Sequence, residues 1–404
     1  MRYINNKFTI EKVSIENIAK QFGTPFYCYS YYQLKKNIID FKSKFKSFSP
    51  LICFAIKSNT NVNLIKEIKK FGLGADVVSM GELMIALKAG INPKKIVFSG
   101  VGKTSKEISF AIDKNILLIN AESKSEIQEI HRISRLKNKM IQIGIRLNPN
   151  TDAKTLKQIS TGKEENKFGV NEKTFLELIN YCKISKNLQL KCLSVHIGSQ
   201  ILDNKPYKKM LKIIDKIIDK ANHKFEFIDL GGGMGISYNQ KDKKLNYNKY
   251  SKEIGKFLKK HKSKVIFEPG RSIIGNTGVL VSKIIYIKKN KRKSFVILDA
   301  AMNDFMRPAL YGASHRTLPS ERTKNKSRKS YEFVGPICES TDKFISLKNF
   351  QELKEKDLIA ICDVGAYGMS LSSNYNMRPK PPELLIRGSN IKVIRKRQKL
   401  KDLL

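Results

Sequence analysis

Tryptophan is missing from this chain of 404 residues, and acidic residues are less than half as frequent as basic ones. The six cysteines are scattered, with no CxxC pair and no histidine cluster at metal-ligand spacing, so we expect neither disulfides nor a metal site. No stretch approaches the roughly 18 consecutive apolar residues that a membrane span requires, and the N-terminus has no apolar signal core. We therefore expect a cytoplasmic protein with no membrane partner.

The formal net charge of +41 would favour nucleic-acid binding through phosphate contacts. The lysines, however, are spread over nearly every helix-like segment among many isoleucines and asparagines. The local clusters KKNKRK (288–293), RTKNKSRK (322–329) and IRKRQKLK (394–401) are typical of a hairpin turn, a loop and a tail. No nucleic-acid motif accompanies them, so we predict no nucleic-acid partner.

The length of the chain and its 41% hydrophobic content predict two domains. From about residue 51, short apolar runs alternate with amphipathic helical ones, which is typical of a parallel βα fold. Eight runs are strand candidates: LICFAI, ADVVS, KIVFSG, ILLINAE, MIQIGIRLN, LKCLSVHIGS, FEFIDLGGG and KVIFEPGR. Between them, helix candidates such as PYKKMLKIIDKIIDKA place Met210, Ile214, Ile217 and Ala221 on one face. This pattern predicts an α/β protein with a TIM-like (β/α)8 barrel over residues 31–275.

After Arg271 the sequence becomes rich in β-like segments punctuated by turns, namely GVLVSKIIYIKK, SFVILDA, YEFVG, DLIAICDVGAYG and PPELLIRG. Few helical periods interrupt them. We predict a mainly antiparallel β-domain over residues 276–404, to which residues 1–30 contribute.

Active sites of βα barrels assemble at the C-terminal ends of the strands. The first strand candidate ends in FAIKSN and places Lys57 at the barrel mouth, where burial can make an amine nucleophilic. A lysine that simply extends into solvent is the alternative. The seventh ends in Gly231, Gly232 and Gly233, which let backbone N–H groups approach a phosphate, although glycine clusters also form ordinary turns.

The eighth strand candidate ends in EPGRS, so Glu268 points toward the mouth while Gly270 and Arg271 can contact a phosphate or carboxylate. His196, in HIGSQ, can lie against a planar ring or be a core histidine, and Arg146, in IRLN, can donate hydrogen bonds or form a structural ion pair. A lysine anchor, a phosphate cradle, a ring-facing histidine and a carboxylate are the set that pyridoxal-phosphate (PLP) chemistry requires.

Motifs along nearly the whole chain occur in the same order as in one enzyme family. They are FAIKSN, DVVSMGEL, RLNPNTDAKT with ISTG and NKFG after it, HIGSQ, DLGGGMGI, EPGRS, RPALYGASH, GPICESTD and DVGAYG. On these motifs the chain resembles the bacterial diaminopimelate decarboxylases, which are alanine-racemase-like (fold-type III) PLP enzymes.

The resemblance implies that PLP is bound covalently to Lys57, that His196 stacks on its ring and that Glu268 holds the pyridine nitrogen. It assigns the catalytic acid to Cys338, a cysteine among polar residues. We expect the cofactor site to include Arg146, Ser199, Gly231, Gly232, Gly233, Pro269, Gly270, Arg271 and Tyr367.

Two departures from the family pattern stand out. Leu156 follows Asp152-Ala153-Lys154-Thr155, where the family usually carries a histidine, and the segment from Tyr311 to His315 lacks the second aromatic residue.

Glu268 favours decarboxylation over racemisation, because a carboxylate keeps the ring nitrogen protonated and so makes the ring a strong electron sink. Three functions stay open: a diaminopimelate decarboxylase, a related decarboxylase for ornithine, arginine or carboxynorspermidine, and a non-enzymatic PLP carrier. The first converts meso-2,6-diaminopimelate to L-lysine and CO2 in the last step of lysine biosynthesis.

Diaminopimelate carries a second amino-acid centre, so its pocket must bind a carboxylate and an ammonium together. Arg271 and Arg307 offer planar donors for the carboxylate, with Tyr311 and Tyr367 beside them, and Glu339 offers the charge for the ammonium. An ordinary ion-pair network is the alternative explanation of these charges. The resemblance further implies a homodimer with shared active sites, in which Cys338 and Glu339 reach the partner subunit's barrel.

Overall fold

The computed structural model describes residues 1–238, 242–325 and 327–404, so Lys326 of the predicted basic loop lies outside the described residues. The chain divides into two compact units. The β unit holds Met1–Asn37, Ser237–Asp242 and Ile274–Leu404, and the barrel unit holds Ile38–Ile236 and Lys243–Ile273.

The N-terminal part of the β unit begins with a three-stranded antiparallel sheet of β1 (Arg2–Ile4), β2 (Lys7–Ile10) and β3 (Val13–Ser14). The Ser14 side chain accepts from the Asn17 N–H and so caps helix α1 (Ile15–Phe22). Strand β4 (Phe26–Ser30) is buried along its whole length, and α2 (Tyr31–Lys44) follows it.

Eight parallel strands form the closed barrel, and each overlaps one of the eight predicted runs, which confirms the barrel prediction. Two of the strands begin one or two residues before their predicted runs. They are β5 (Leu51–Ala55), β6 (Gly74–Val77), β7 (Ile96–Phe98), β8 (Leu118–Ala121), β9 (Ile141–Arg146), β10 (Leu188–Ser194), β11 (Phe227–Asp229) and β12 (Lys264–Phe267). The barrel closes through the pairing of β12 with β5.

Among the described residues, seven α-helices connect the barrel strands and an eighth follows β12. They are α3 (Val62–Lys69), α4 (Met80–Lys88), α5 (Ser105–Asp113), α6 (Lys124–Leu136), α7 (Glu172–Ile184), α8 (Asn204–Ala221), α9 (Tyr247–His261) and α10 (Arg271–Ile274). A serine, threonine, asparagine or aspartate caps the N-terminus of each helix from α3 to α9 by accepting a backbone hydrogen bond. In α8, the predicted face of Met210, Ile214, Ile217 and Ala221 is buried.

The barrel interior has an apolar layer below a polar one. Cys53, Val97, Leu118, Cys192, Phe227 and Ile266 form the apolar layer. Toward the C-terminal ends of the strands, the buried side chains of Asp76, Asn120, Asp229 and Glu268 replace it. Buried carboxyl groups are costly unless they are hydrogen-bonded or paired, so their concentration at this level marks the functional end of the barrel.

The C-terminal part of the β unit contains β13 (Gly278–Lys289), β14 (Ser294–Leu298), α11 (Arg307–Tyr311), β15 (Thr317–Pro319), β16 (Arg328–Val334), β17 (Lys343–Gln351), β18 (Leu358–Cys362), β19 (Glu383–Arg387) and β20 (Asn390–Arg395). Most pairings are antiparallel, as predicted, but β14 pairs parallel with β16, and β4 pairs parallel with β19. The sequence pattern did not predict α11 or strands β15, β17 and β20.

Five cysteines are buried, including Cys53 in the barrel, whereas Cys338 is exposed. Within the described part of the chain, none of the helices combines the length and the apolar character needed to cross a membrane.

Candidate active site

Lys57 lies in a short 3-10 turn, Ile56–Ser58, directly after β5. Its Nζ atom is 3.1 Å from Oδ2 of Asp76, at the end of β6, and 38% of the Lys57 side chain is exposed. The second lysine near this end of the barrel, Lys103, is buried, and its amine donates to the carbonyls of Gly100 and Asn120 and to Glu126. Because an ammonium has three donors, Lys103 is fully committed, whereas the Lys57 amine, directly after a barrel strand, is accessible.

Three buried carboxyl groups, those of Asp76, Asp229 and Glu268, lie close enough to influence one another. Asn120 and Ser194 donate to Oδ2 of Asp229 over 3.0 and 3.3 Å, and Ser99 donates to Glu268 over 3.3 Å. Burial raises the pKa of Glu268 well above its ordinary range, and the charges of Asp229 and Asp76 raise it further. Burial and the neighbouring carboxyl groups therefore favour the neutral form of Glu268, and a cation beside it favours the ionised form.

His196 lies just after β10, and its Nδ1 accepts the Gly232 N–H over 3.1 Å. Burial lowers the pKa of His196 well below its ordinary range, and the charges of Arg146 and Lys57 lower it further. The ring is therefore neutral, with its proton on Nε2, and offers an uncharged planar face.

Arg146 ends strand β9 and is held by Glu122, which it reaches over 2.9 Å. Its guanidinium also donates to the His196 carbonyl over 3.4 Å and lies 4.8 Å from the centre of the Phe168 ring. Glu122 fixes the surrounding loops as well, because it accepts the N–H groups of Gly100 and Gly169. Through these contacts Arg146 holds the backbone of His196 in position.

The glycine turn after β11 is dictated by close packing. Gly231 and Gly233 have φ values of +64° and +86°, and a Cβ added to Gly232 would lie 2.2 Å from the Glu268 carbonyl oxygen. The N–H groups of Gly231 and Gly232 donate to Asp229 and His196. These two glycines therefore shape the turn. Their N–H groups, which were expected to face a phosphate, hold the side chains of Asp229 and His196.

Arg271, at the start of α10, donates to the Ser199 hydroxyl over 3.1 Å, which joins the loops after β10 and β12. Gly270 packs against Ser58, whose Cβ would lie 2.9 Å from an added Cβ. The Pro269 carbonyl accepts the Ala55 N–H and ties the end of β12 to β5. The barrel unit thus brings Lys57, Arg146, His196, Ser199, the glycines 231–233 and residues 268–271 to one end of the barrel.

The predicted site residues Arg307, Tyr311, Cys338, Glu339 and Tyr367 belong to the β unit. Arg307 is buried, and its Nη1 donates to the Tyr238 hydroxyl over 2.9 Å and lies 2.8 Å from Nε2 of His315. Nδ1 of His315 lies 2.9 Å from the Cys362 carbonyl, so Nδ1 carries the proton and Nε2 accepts from Arg307. Tyr311 ends α11 and is partly exposed.

Cys338 and Glu339 are exposed in the loop between β16 and β17. The buried carboxylate of Asp342 holds this loop by accepting the N–H groups of Met302 and Ile337 over 2.7 and 2.8 Å. Glu339 accepts hydrogen bonds from the hydroxyls of Tyr375 and Thr341, which lower its pKa. The loop therefore presents an ionised carboxylate next to a thiol on a rigid support.

Tyr367 lies in the loop after β18 with φ +58°. Leu156, at the position of the missing histidine, is half exposed.

Sequence reasoning missed Asp76, Asn120, Asp229, Glu122 and Tyr375. A polar residue inside an otherwise apolar barrel strand is the signal that points to Asp76, Asn120 and Asp229. No local sequence signal marks Glu122 or Tyr375, because their importance comes from partners distant in the chain.

The structure also groups Asp215, Asp219 and His261, whose ligand atoms lie within 4.8 Å of one another, which the sequence pattern did not predict. Lys260 forms ion pairs with both carboxylates. The charge of this partly exposed group is therefore partly compensated within the barrel unit.

Glu82, in the first turn of α4, is a further carboxyl group near Asp76. Its Oε2 accepts the Val78 N–H over 2.9 Å, and burial raises its pKa to about 7, with the Asp76 charge contributing. Glu82 binds a proton in the folded protein between pH 4.5 and 7, where the unfolded chain has lost it. Stability is therefore lost as the pH rises through this window.

We expect Glu82→Gln to gain stability relative to the wild type as the pH rises from 5 to 8, by up to about 2 kcal/mol. The amide oxygen keeps the acceptor for Val78, so the difference reports ionisation. Urea unfolding at both pH values measures it. Glu129→Gln is the control, because hydrogen bonds from Arg132 hold the Glu129 pKa at about 2, outside this range. A stability difference that is the same at pH 5 and pH 8 would contradict the prediction.

Residues 32–275 match the family model of the pyridoxal-dependent decarboxylase, pyridoxal binding domain. With its closed barrel and the lysine, histidine and carboxyl groups at one barrel end, the chain belongs to the pyridoxal-dependent decarboxylases. The full chain is also similar to known enzymes. It is 43% identical to the diaminopimelate decarboxylase of Helicobacter pylori strain J99 over 392 residues, 96% of each chain.

The identity to the diaminopimelate decarboxylase of Aquifex aeolicus is 39% over 402 residues, 98% of this chain and 95% of the relative. The crystal structure of the Helicobacter pylori enzyme complexed with L-lysine superposes with a TM-score of 0.92 at 42% identity, covering 96% of this chain and 98% of the other. Within the pyridoxal-dependent decarboxylases, this chain is a member of the diaminopimelate decarboxylase family.

Proposed function

We propose that this protein decarboxylates meso-2,6-diaminopimelate to L-lysine and CO2, the last step of lysine biosynthesis. Full-length similarity to diaminopimelate decarboxylases supports the proposal, as does the L-lysine bound to the Helicobacter pylori enzyme. The main structural support for this reaction is the accessible Lys57 amine, at a barrel end where three carboxyl groups are buried together.

The cofactor of this proposal is PLP, bound covalently through the Lys57 amine. Asp76, Asp229 and Glu268 suit a cationic ring nitrogen, because they form a buried acidic cluster in which one oxygen of Asp76 accepts no hydrogen bond from the described residues. A cation beside Glu268 would let that carboxyl group ionise. Hydrogen bonds from Asn120 and Gly231 fix Asp229, the neighbouring carboxyl group. His196 would hold a ring face, and Ser199 and Arg271 would hold the phosphate.

When bound, PLP supplies a ring system that takes up the electron pair left by CO2. Glu268 would keep a proton on the ring nitrogen. It is suited to this because it is buried next to two other carboxyl groups. Asp76 orients the Lys57 amine. Arg146 and Glu122 fix the neutral His196 in place.

The proposal assigns the remaining functions to the β unit. Arg307, braced by Tyr238 and His315, is a rigid planar donor for the distal carboxylate of the substrate. Glu339 is an ionised partner for the distal ammonium, and Cys338 beside it donates a proton to the substrate carbon. We further propose a homodimer in which Cys338 and Glu339 complete the partner subunit's site.

Release of CO2 from a panel of amino acids tests the proposal. We expect meso-diaminopimelate to react at least about 100-fold faster than ornithine, arginine or carboxynorspermidine. The reason is that these substrates leave Arg307 without the distal carboxylate. Faster turnover of ornithine would reassign the substrate. PLP binding without CO2 release from any substrate would indicate a carrier protein, and Lys57→Ala gives the background rate.

A further inference from the structure

The end of the barrel opposite Lys57 is strongly basic. In a parallel barrel, the eight loops that lead into the strands all lie at the N-terminal end, and we call this end the basic pole. Each of the eight loops contains at least one lysine, from Lys46 before β5 to Lys262 before β12. All residues of these loops are described, and Glu226 is the only carboxylate in them. At the mouth, by contrast, the loops carry both signs, as with Lys163 paired to Asp152.

Exposed aliphatic side chains accompany the lysines at one side of the basic pole. Leu136, Met140 and Ile184 are 73%, 53% and 82% exposed. They lie at and just beyond the C-terminal ends of α6 and α7. These helices are neighbours, because Nδ1 of His131 lies 2.9 Å from the Tyr181 hydroxyl.

The two chain segments that carry these side chains meet directly, since the Asn187 amide donates to the Lys139 carbonyl over 3.3 Å. We define the docking patch as the segments 135–140 (RLKNKM) and 183–186 (KISK). Arg135, Lys183 and Lys186 are exposed in the patch around the three aliphatic side chains, as is Lys139, whose amine pairs with Asp113 over 3.4 Å. Exposed apolar groups within a basic surface are typical of interaction sites.

A groove of about 630 Å³ adjoins the patch at Lys183. Leu188, Leu190 and Phe225 contribute apolar lining, and its charged rim includes Lys191, Lys224 and Lys262. The carboxylate of Glu226 is paired with Lys191 over 3.2 Å and with Lys264 over 3.5 Å. The groove therefore keeps a net positive charge and suits a phosphate group that carries an apolar tail.

We propose that the docking patch and this groove attach the protein to the surface of an anionic phospholipid bilayer. Lysines at such a surface gain from the negative headgroups, and exposed aliphatic side chains gain by insertion below them. A second copy of this chain is a poor occupant, because it would bring the same positive charges face to face. Single-stranded nucleic acid is favoured less, because neither segment of the patch contains an aromatic ring for base stacking.

This mode of attachment needs no membrane span. The sequence-based prediction of no membrane partner rested on the lack of a long apolar run, which excludes spanning but does not address binding to a bilayer surface. The proposal is also independent of the reaction, because the patch lies at the barrel end opposite Lys57.

Flotation with lipid vesicles tests the proposal, using the complete protein at physiological ionic strength. We expect the wild type to float with vesicles of phosphatidylglycerol and phosphatidylcholine and not with phosphatidylcholine alone. Lys183→Glu/Lys186→Glu should bind about 30-fold or more weakly, and Leu136→Ser/Ile184→Ser about tenfold more weakly. Lys252→Glu/Lys256→Glu on α9 and Met84→Ser on α4 are matched controls for charge and apolar exposure, and both should bind like the wild type.

The outcomes separate the candidate partners. Binding that is lost in the lysine variant but unchanged in Leu136→Ser/Ile184→Ser would overturn lipid insertion. Equal loss in the Lys252→Glu/Lys256→Glu control would show that net charge, not the patch, drives binding. Wild-type protein that binds single-stranded RNA but no anionic vesicles would overturn the proposal in favour of a nucleic-acid surface. Unchanged thermal unfolding of the variants confirms that they are folded.

Discussion

Replacing Lys57 with alanine should lower kcat for diaminopimelate by about 10⁴-fold or more and remove the covalent attachment of PLP. The Lys57 amine lies next to the buried carboxyl groups of the barrel and is accessible, whereas the amine of Lys103 is fully used by Gly100, Asn120 and Glu126. Borohydride reduction followed by peptide mass analysis locates the attachment, and CO2 release measures the rate.

Lys57→Arg is the matched variant, because it keeps a cation beside Asp76 but cannot form the covalent link. We expect it to be as inactive as Lys57→Ala. Glu268→Gln separates anchoring from electron withdrawal, since it should keep the reducible attachment at Lys57 and lose most of the rate. A normal amount of reducible PLP in Lys57→Ala would place the anchor elsewhere and refute the assignment.

The barrel could be predicted from sequence because its strands are buried on both faces and appear as short apolar runs at regular spacing. Lys57, His196 and Glu268 could be located for the same reason, since each directly follows such a run. The β unit was harder. Strand β17, KFISLKNFQ, has only one buried residue and reads as mixed polar sequence. The parallel pairing of β4 with β19 joins segments more than 350 residues apart.

The electrostatic arrangement of the site depends on contacts that no local pattern encodes. Glycines 231 and 232 were expected to donate to a phosphate, yet their N–H groups hold Asp229 and His196. Which acceptor an N–H group finds is decided by the packing of neighbouring loops. The raised pKa of Glu268 likewise results first from its burial and then from the charges of Asp229 and Asp76, which come from two other strands.

Mixing two inactive variants, Lys57→Ala and Cys338→Ala, should restore activity if Cys338 serves the partner subunit's barrel. After random reassociation, half of the dimers are heterodimers, and in each of them one of the two sites combines an intact Lys57 with an intact Cys338. Activity should therefore recover to about a quarter of the wild-type value. The rigid support of the 338–339 loop by Asp342, with Cys338 and Glu339 exposed, is consistent with a loop that reaches another surface.

A second mixture, Lys57→Ala with Glu268→Gln, is the control. Both changes lie in the barrel unit, so every site of that heterodimer keeps one defect, and no recovery is expected whichever subunit supplies Cys338. Mass spectrometry of differently tagged subunits measures exchange in both mixtures. If subunits exchange fully and the first mixture stays as inactive as the second, Cys338 acts within its own subunit or not at all, and the shared-site proposal fails. Recovery in the first mixture alone would place the thiol of one subunit at the barrel of the other.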